Sequence, residues 1–264
     1  MELHAFPDVR SNALHQLAAA QQWSVDAVLD WAALSLDRIP SAMRRAMAGV
    51  YGDVLYAEEF GLTLAKRIVE RAPEGWQRDL AQQQLCDELR HVDFFTRLTK
   101  LLGEGAQPSE ELSVLRDELA RTRDYDELRL QAQVLETAAR ALFIGNAARS
   151  LQVLDGSIRL PGSDSVRAIM RVMLNYVGRD ESRHLAIGHY CLKRRLRTAD
   201  AAERHGFEAR VRVSARLMHR SFVRRAPLFA KLGLSSDDVL RSSWDALHKQ
   251  LGRLELELGE AEPA

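Results

Sequence analysis

The sequence predicts an all-α fold: a four-helix bundle with additional helices at both ends. Three observations carry that prediction. Apolar residues recur at spacings of three and four along most of the 264 residues, the period of a helix with one buried face. Ala, Leu, Arg and Glu recur throughout, aromatics make up only 6% and prolines number 7, so composition favours helix and strand signals are nearly absent. A five-residue pattern, D-E-x-R-H, occurs on two different long helical segments, which gives the bundle a two-fold echo.

Two short helices are expected within 9–39, the second opening at Ser24 and ending before Pro40. A long helix over 41–72 follows, broken by Pro73-Glu74-Gly75, and the next runs over 76–102 to the stop at Gly103 and Gly105. A polar stretch over 106–111 leads into a charged helix ending near Asp124, and then a long apolar helix over 125–154. Asp155-Gly156 and Leu160-Pro161-Gly162-Ser163 read as a loop, with Ser163 or Asp164 capping a helix to about Leu196. Further helices over 199–225 and 236–258 are expected to pack outside the bundle, and 259–264 to fray. A chain of this length with 46% hydrophobic residues fills one core, so 1–264 reads as a single domain whose bundle spans about 41–196.

Formal net charge is zero, 37 basic residues against 37 acidic, so no whole-molecule field draws the chain to nucleic acid or a membrane. No apolar run approaches the roughly 20 residues of a membrane span. Two cysteines, Cys86 and Cys191, and residues 1–10 that lack a basic-then-apolar leader make a cytoplasmic protein the expectation.

The repeated pattern carries the chemistry. Asp87-Glu88-Leu89-Arg90-His91 and Asp180-Glu181-Ser182-Arg183-His184 each contain Glu-x-x-His, and the chain has no other match to it. Residues three apart on a helix share a face, about 5–6 Å apart at Cβ, so each motif offers a carboxylate and an imidazole to one metal ion. A two-metal site in a bundle also needs one Glu from each of two further helices. Glu136 lies in the apolar stretch 132–147, where an ionised carboxylate is costly unless paired or bound to a cation. On the helix over 41–72, Glu58 falls in the stripe Tyr51, Leu55, Leu62, Ala65, Val69, Ala72. The neighbouring Glu59 shares a stripe with Lys66, so Glu58 is the candidate and Glu59 the alternative ligand. Chain geometry agrees: Glu58 and Glu88 are equidistant from Pro73, and Glu136 and Glu181 from the loop near 158, so all four carboxylates meet at one depth in two hairpins. A ligating histidine usually donates its other N–H to a carboxylate, so Asp87 and Asp180 are expected to serve the histidine of the opposite motif. Arg90 and Arg183 would balance those aspartates. Carboxylate-rich ligation with two imidazoles suits iron or manganese better than zinc.

Glu58, Glu88-x-x-His91, Glu136 and Glu181-x-x-His184 resemble the ligand set of the ferritin-like di-iron carboxylate superfamily. The D-E-x-R-H form is most similar to hydroxylase subunits of bacterial multicomponent monooxygenases and to ribonucleotide-reductase-like oxygenases. Ala57-Glu58-Glu59-Phe60-Gly61 also resembles their first-helix motif, a Glu flanked by small residues. The resemblance covers about 41–196 and implies two iron ions, with manganese as the substitute. By it Glu88 and Glu181 would bridge the metals, with Glu58 and Glu136 at the ends. It further implies an O₂-activating oxygenase or oxidase fed by an external electron donor. Phe95 stands four residues after His91, where radical-generating reductase subunits carry tyrosine, so no stable tyrosyl radical is expected. Val177 stands where arylamine N-oxygenases carry a further metal-binding histidine.

A mostly apolar substrate pocket is expected from Ala132, Leu135, Ala139, Phe143, Phe94 and Phe95. The substrate would be a small organic molecule, free or carrier-bound. Residues 193–231 hold twelve Lys or Arg against Asp200, Glu203 and Glu208. This reads first as a solvated helix face, with a phosphate-bearing partner such as tRNA as the less favoured alternative. Two rival functions stay open, iron storage or peroxide detoxification of the ferritin or rubrerythrin kind and a tRNA-modifying hydroxylase. A homodimer is the assembly kept open.

Overall fold

The computed structural model describes residues 7–73, 75–103, 109–156, 162–232 and 234–258, with side chains described throughout except at 142–156. The centre of the expected loop around Pro161, the first half of the polar stretch 106–111, and the end 259–264 lie outside these residues.

The described residues form ten α-helices and no strand: α1 Val9–Ala20, α2 Val25–Val28, α3 Ser41–Arg71, α4 Trp76–Leu102, α5 Glu110–Arg121, α6 Tyr125–Gly156, α7 Ser163–Val172, α8 Gly178–Leu196, α9 Ala201–Lys231 and α10 Ser236–Gly252. A π-helical segment, Met173–Val177, joins α7 to α8 in one continuous rod. The bundle is two hairpins, α3 with α4 and α6 with α7–α8, packed so that α3 meets α6 and α4 meets α8.

The first hairpin turns where the backbone cannot stay helical. Ala72 is forced to ψ 135° by the following proline, and Gly75 adopts φ 91°, a conformation open to glycine. Gly103, at φ 103°, ends α4. The start of α7 departs from expectation. Gly162 at φ 80°, not Ser163 or Asp164, precedes the first turn and no side chain caps it; Ser163 is already helical.

Four further elements differ from the sequence reading, among them the helix expected over 236–258, which ends at Gly252. The helix expected from Ser24 stops at Val28. Leu29 is extended, and the Asp30 carboxylate accepts from the Ala32 and Ala33 amides to start a separate 3₁₀ turn, followed by another at Leu36–Arg38. Helix α6 runs through Asp155 to Gly156. Helix α9 opens with an Asp200/Glu203 capping box and continues through Pro227 to Lys231, anchored beyond Arg225 by the buried Phe229.

Helix α6 is the hub. Residues 128–138 are all buried, because α3 and α8 cover one side while α9 and α10 cover the other. Leu130, Val134 and Ala138 join a core with Leu115 of α5, Val211 and Phe222 of α9, and Leu251 of α10. On the far side, α2 and α7 build a second core with Tyr51, Phe94, Phe95 and Ile169, and α1 lies along α4 and α8. The flanking helices are thus part of the packing that buries the bundle's centre on every side.

Candidate metal centre

Glu88 and His91 come from α4, Glu181 and His184 from α8, Glu58 from α3 and Glu136 from α6; they converge at one level of the bundle. His91 and His184 are fully enclosed, Glu88, Glu136 and Glu181 are buried, and the Glu58 side chain keeps 13% of its surface. The Nδ1 of His91 lies 3.4 Å from Glu58 Oε2, 3.9 Å from Glu88 Oε2 and 3.2 Å from Glu181 Oε1. The Nδ1 of His184 lies 3.2 Å from Glu88 Oε1 and 3.8 Å from Glu136 Oε1. Two groups therefore form whose donor atoms all lie within 4.8 Å of one another: Glu58, Glu88 and His91, and Glu88, Glu136 and His184. Glu88 is common to both. Glu59 is exposed on the outside of α3.

Helix spacing explains the register. Glu88 and His91 are one turn apart, as are Glu181 and His184. Gly61, one turn beyond Glu58, makes room for the Glu88 carboxylate: a Cβ there would sit 3.1 Å from Glu88 Oε2. The π-helical segment ends at Val177, three residues before Asp180; its wider turn adds a residue to the helix and re-aims the side chains of α8. Sequence periodicity carries no signature of that segment.

The aspartates cross over between motifs. Asp87 Oδ2 lies 3.0 Å from His184 Nε2, in hydrogen-bond reach, and Asp180 Oδ2 lies 3.5 Å from His91 Nε2, an ion-pair distance that leaves this nitrogen without a hydrogen bond. Arg183 Nη2 donates to both aspartates, at 2.6 and 2.8 Å, and Arg90 pairs with Asp87. Gln21 accepts from Arg183, Gln22 accepts from Arg90, and Trp23 Nε1 donates to Asp180 at 2.6 Å, so the segment after α1 clasps both motifs.

Two buried residues absent from the sequence reading complete the site. Gln84 Nε2 donates to Glu136 Oε1 at 2.6 Å, and Arg129 Nη1 donates to Gln84 Oε1 at 2.7 Å. Arginine has no acceptor, so it fixes the amide with its oxygen toward Arg129 and its N–H toward Glu136. Gln84 lies one turn before Glu88 on the same face. Arg129, flanked by Leu128 and Leu130 and two turns before Glu136, carries a permanent charge on the same helix.

The electrostatics of the metal-free cluster are those of crowded carboxylates out of water. Burial lifts Glu136 well above the ordinary carboxylate range and Glu58 to about 7, and neighbouring carboxylates add to both. Burial opposes charge on the imidazoles, yet Asp180, Glu181 and Glu58 hold His91 well above the ordinary histidine value, and Asp87 and Glu88 do the same for His184. Burial alone would raise Asp87 and Asp180, but their histidine and arginine partners pull both down. The Nδ1 atoms of both histidines and Oε2 of Glu181 have no hydrogen-bond partner. Buried donor atoms left open and turned toward one centre, carboxylates together with imidazoles, fit a pair of cations.

Neither described cavity is lined by more than one of the expected pocket residues. Phe94 packs edge-on to Trp31 and Phe95 stacks on Tyr51. Ala132 joins Leu64 and Ile68, and Leu135 joins the α9–α10 core. The Phe143 side chain lies outside the described residues. Ala139 alone among them lines a described cavity, with Ala57, Leu112, Met218 and Phe222, closed at one end by the Asp53–Arg225 ion pair. This cavity adjoins Glu58 through Ala57 and Glu136 through Ala139. Its free space is ≈ 20 Å³, room for about one water molecule. Helix α9, which lines it, was expected to pack outside the bundle.

No family model and no curated protein sequence matches the chain. Solved structures do. A Synechococcus protein with aldehyde deformylating oxidase activity superposes with a TM-score of 0.64 at 21% identity, over 87% of this chain and 95% of that one. An R2-like ligand-binding oxidase variant with aerobically reconstituted Mn/Fe cofactor gives 0.64 at 14% identity, over 96% and 95%. A second variant of that oxidase, anaerobically reconstituted, gives 0.62 at 15% over the same shares. The fold is ferritin-like. In this ferritin-like bundle the six candidate ligands project inward from all four core helices. No described helix is long and apolar enough to cross a membrane.

Proposed function

We propose that this chain holds two metal ions, both iron or one manganese and one iron, and uses O₂ to oxidise a small organic substrate. One observation carries the reading: two ligand groups share Glu88, and each imidazole turns Nδ1 inward while an aspartate faces its Nε2. The Mn/Fe and oxidase descriptions of the structural neighbours support it.

Glu58, Glu88 and His91 would hold one ion and Glu88, Glu136 and His184 the other, with Glu181 reaching across from beside His91. Four carboxylates balance two divalent cations. A reduced metal pair supplies the electrons that O₂ requires. The chain's own part is to bind, orient and shield. Asp87 keeps the His184 Nε2 proton in place, and the Asp180 charge beside His91 Nε2 favours a proton there, which leaves the Nδ1 lone pairs inward. Gln84, fixed by Arg129, keeps a donor on Glu136. The carboxyl and imidazole protons held by the metal-free cluster must leave when metal enters, so loading releases protons. The surrounding apolar core excludes bulk water, and a substrate approaching through the cavity beside Ala57 and Ala139 must displace its lining. An external donor would return electrons after each turnover, as the resemblance to multicomponent enzymes implies.

The test is anaerobic loading with Fe(II), alone and with Mn(II), then exposure to O₂ with amine, aromatic and acyl substrates, free and carrier-bound. The reading expects O₂ consumption coupled to an oxidised product. A multi-subunit shell that accumulates many irons per chain and yields no product would replace it with iron storage.

A further inference from the structure

A groove on the outside of the α6–α8 pair gathers arginines. Three arginines reach it from three directions: Arg10 from α1, Arg140 from α6 and Arg253 from the end of α10. Ser182, His189 and Gln250 complete its polar wall. The space measures ≈ 480 Å³, and no acidic residue lines it among the described residues.

Elsewhere on this charge-balanced chain, several surface arginines pair with carboxylates. Arg97 pairs with Asp26 and Asp93, Arg195 with Glu203 and Asp126, Arg210 with Glu127, and Arg224 with Glu111. The three in the groove have only neutral partners among the described residues. Arg140 Nε donates to Ser182 Oγ at 3.1 Å, Arg253 Nη1 donates to Gln250 Oε1 at 3.2 Å, and Arg10 lies over the Tyr190 ring at 5.9 Å. His189 stands among them with its Nδ1 buried and unpartnered. Converging like charges without counter-charge repel one another, and an anion seated between them would relieve that.

We propose that this groove binds a small phosphomonoester. A phosphate dianion carries three oxygens to share among three guanidinium forks, whereas a carboxylate is satisfied by one. The volume exceeds what a phosphate alone fills and falls in the range of small-molecule sites. Leu185 and Ala186 give the organic part an apolar floor. The site is separate from the metal centre, because Ser182 faces outward where its neighbour Glu181 faces in. It therefore does not depend on the metal reading.

His189 supplies a readout that needs no substitution. Burial, then Arg10, Lys193 and Arg253, depress its pKa, and Arg140 faces the same space from α6. A bound phosphate raises it. The experiment is calorimetry on the full chain with inorganic phosphate and glycerol phosphate, with glycerol and acetate as controls, and NMR of the His189 ring across pH with and without glycerol phosphate. Expected are saturable binding of both phosphates, a raised His189 pKa, and affinity weakened by about tenfold in each of Arg10→Gln, Arg140→Gln and Arg253→Gln. Variants are compared only where helicity and melting temperature match wild type. Absence of binding, acetate binding as tightly as phosphate, or a His189 titration unmoved by phosphate would each overturn the proposal.

Discussion

The two halves of the metal centre read alike in sequence and differ in structure. Each is built on Asp-Glu-x-Arg-His, each histidine turns Nδ1 inward, and each faces the aspartate of the other motif. The His184 half is the tighter one. Asp87 comes within 3.0 Å of His184, and Glu136 takes a hydrogen bond from a glutamine that a buried arginine holds in place. The His91 half is looser and more negative. Its aspartate stands at 3.5 Å and is shared with Trp23, its Glu58 is partly exposed, and three glutamates approach His91 with no arginine behind them. A duplicated motif on a helix specifies which atoms meet. The surroundings of those atoms come from elements that carry no duplication: the segment after α1, the hub helix α6, and the π-helical segment before α8.

The largest expected effect tests both halves together. Removing metal leaves Glu58, Glu136 and the two histidines, all raised, to hold protons. Glu58 contributes stability in full below its unfolded value of 4.5 and loses it as pH rises through about 7. The histidines, raised from 6.5, lose theirs in the same direction at higher pH. The metal-free protein should therefore become less stable from pH 6 to pH 8, and the gap to the loaded form should widen. At metal about 100-fold above its Kd the gain is about 5–10 °C in Tm. Equal melting temperatures with and without metal at pH 8 would remove the case for a buried centre.

The halves separate under substitution. His91→Ala and Glu58→Ala should each cost the metal of the first half, and His184→Ala that of the second, with helicity retained. Glu59→Ala should bind metal as wild type does. Loss of metal in Glu59→Ala with retention in Glu58→Ala would place α3 one residue out of register. Asp87→Asn should lower metal affinity by about 10–100-fold. Asp180→Asn should cost less, because its contact to His91 is longer; the reverse order, read by competition with a metal chelator, would erase the asymmetry between the halves. The smallest expected effect is that of Gln84→Ala, a modest weakening confined to the second half. An equal weakening of both halves would mean that the Arg129–Gln84 chain supports the bundle generally and does not orient Glu136.

Much of this was legible in the sequence because helices convert spacing into geometry. The bounds of α3 and α4 follow from Pro73, Gly75 and Gly103, and the convergence of Glu58, Glu88, Glu136 and Glu181 follows from their distances to two turns. Three things were not legible. The broken helix after Ser24 depends on Asp30 competing locally for backbone amides, which periodicity does not register. The π-helical segment has no composition of its own. Apolar neighbours of a ligand look alike in sequence, and packing decides which of them line free space: Phe94 lies against Trp31 and Phe95 against Tyr51. Whether α9 lay against the bundle decided where space remained.

Metal content per folded chain tests the central claim most directly. The protein is loaded anaerobically with Fe(II), or with Fe(II) and Mn(II) together, freed of excess metal, and measured by elemental analysis in wild type, His91→Ala and His184→Ala. The account predicts two metals per chain in wild type and a clear loss in each histidine variant. A wild-type chain that retains no metal, or histidine variants that retain as much as wild type, would contradict it.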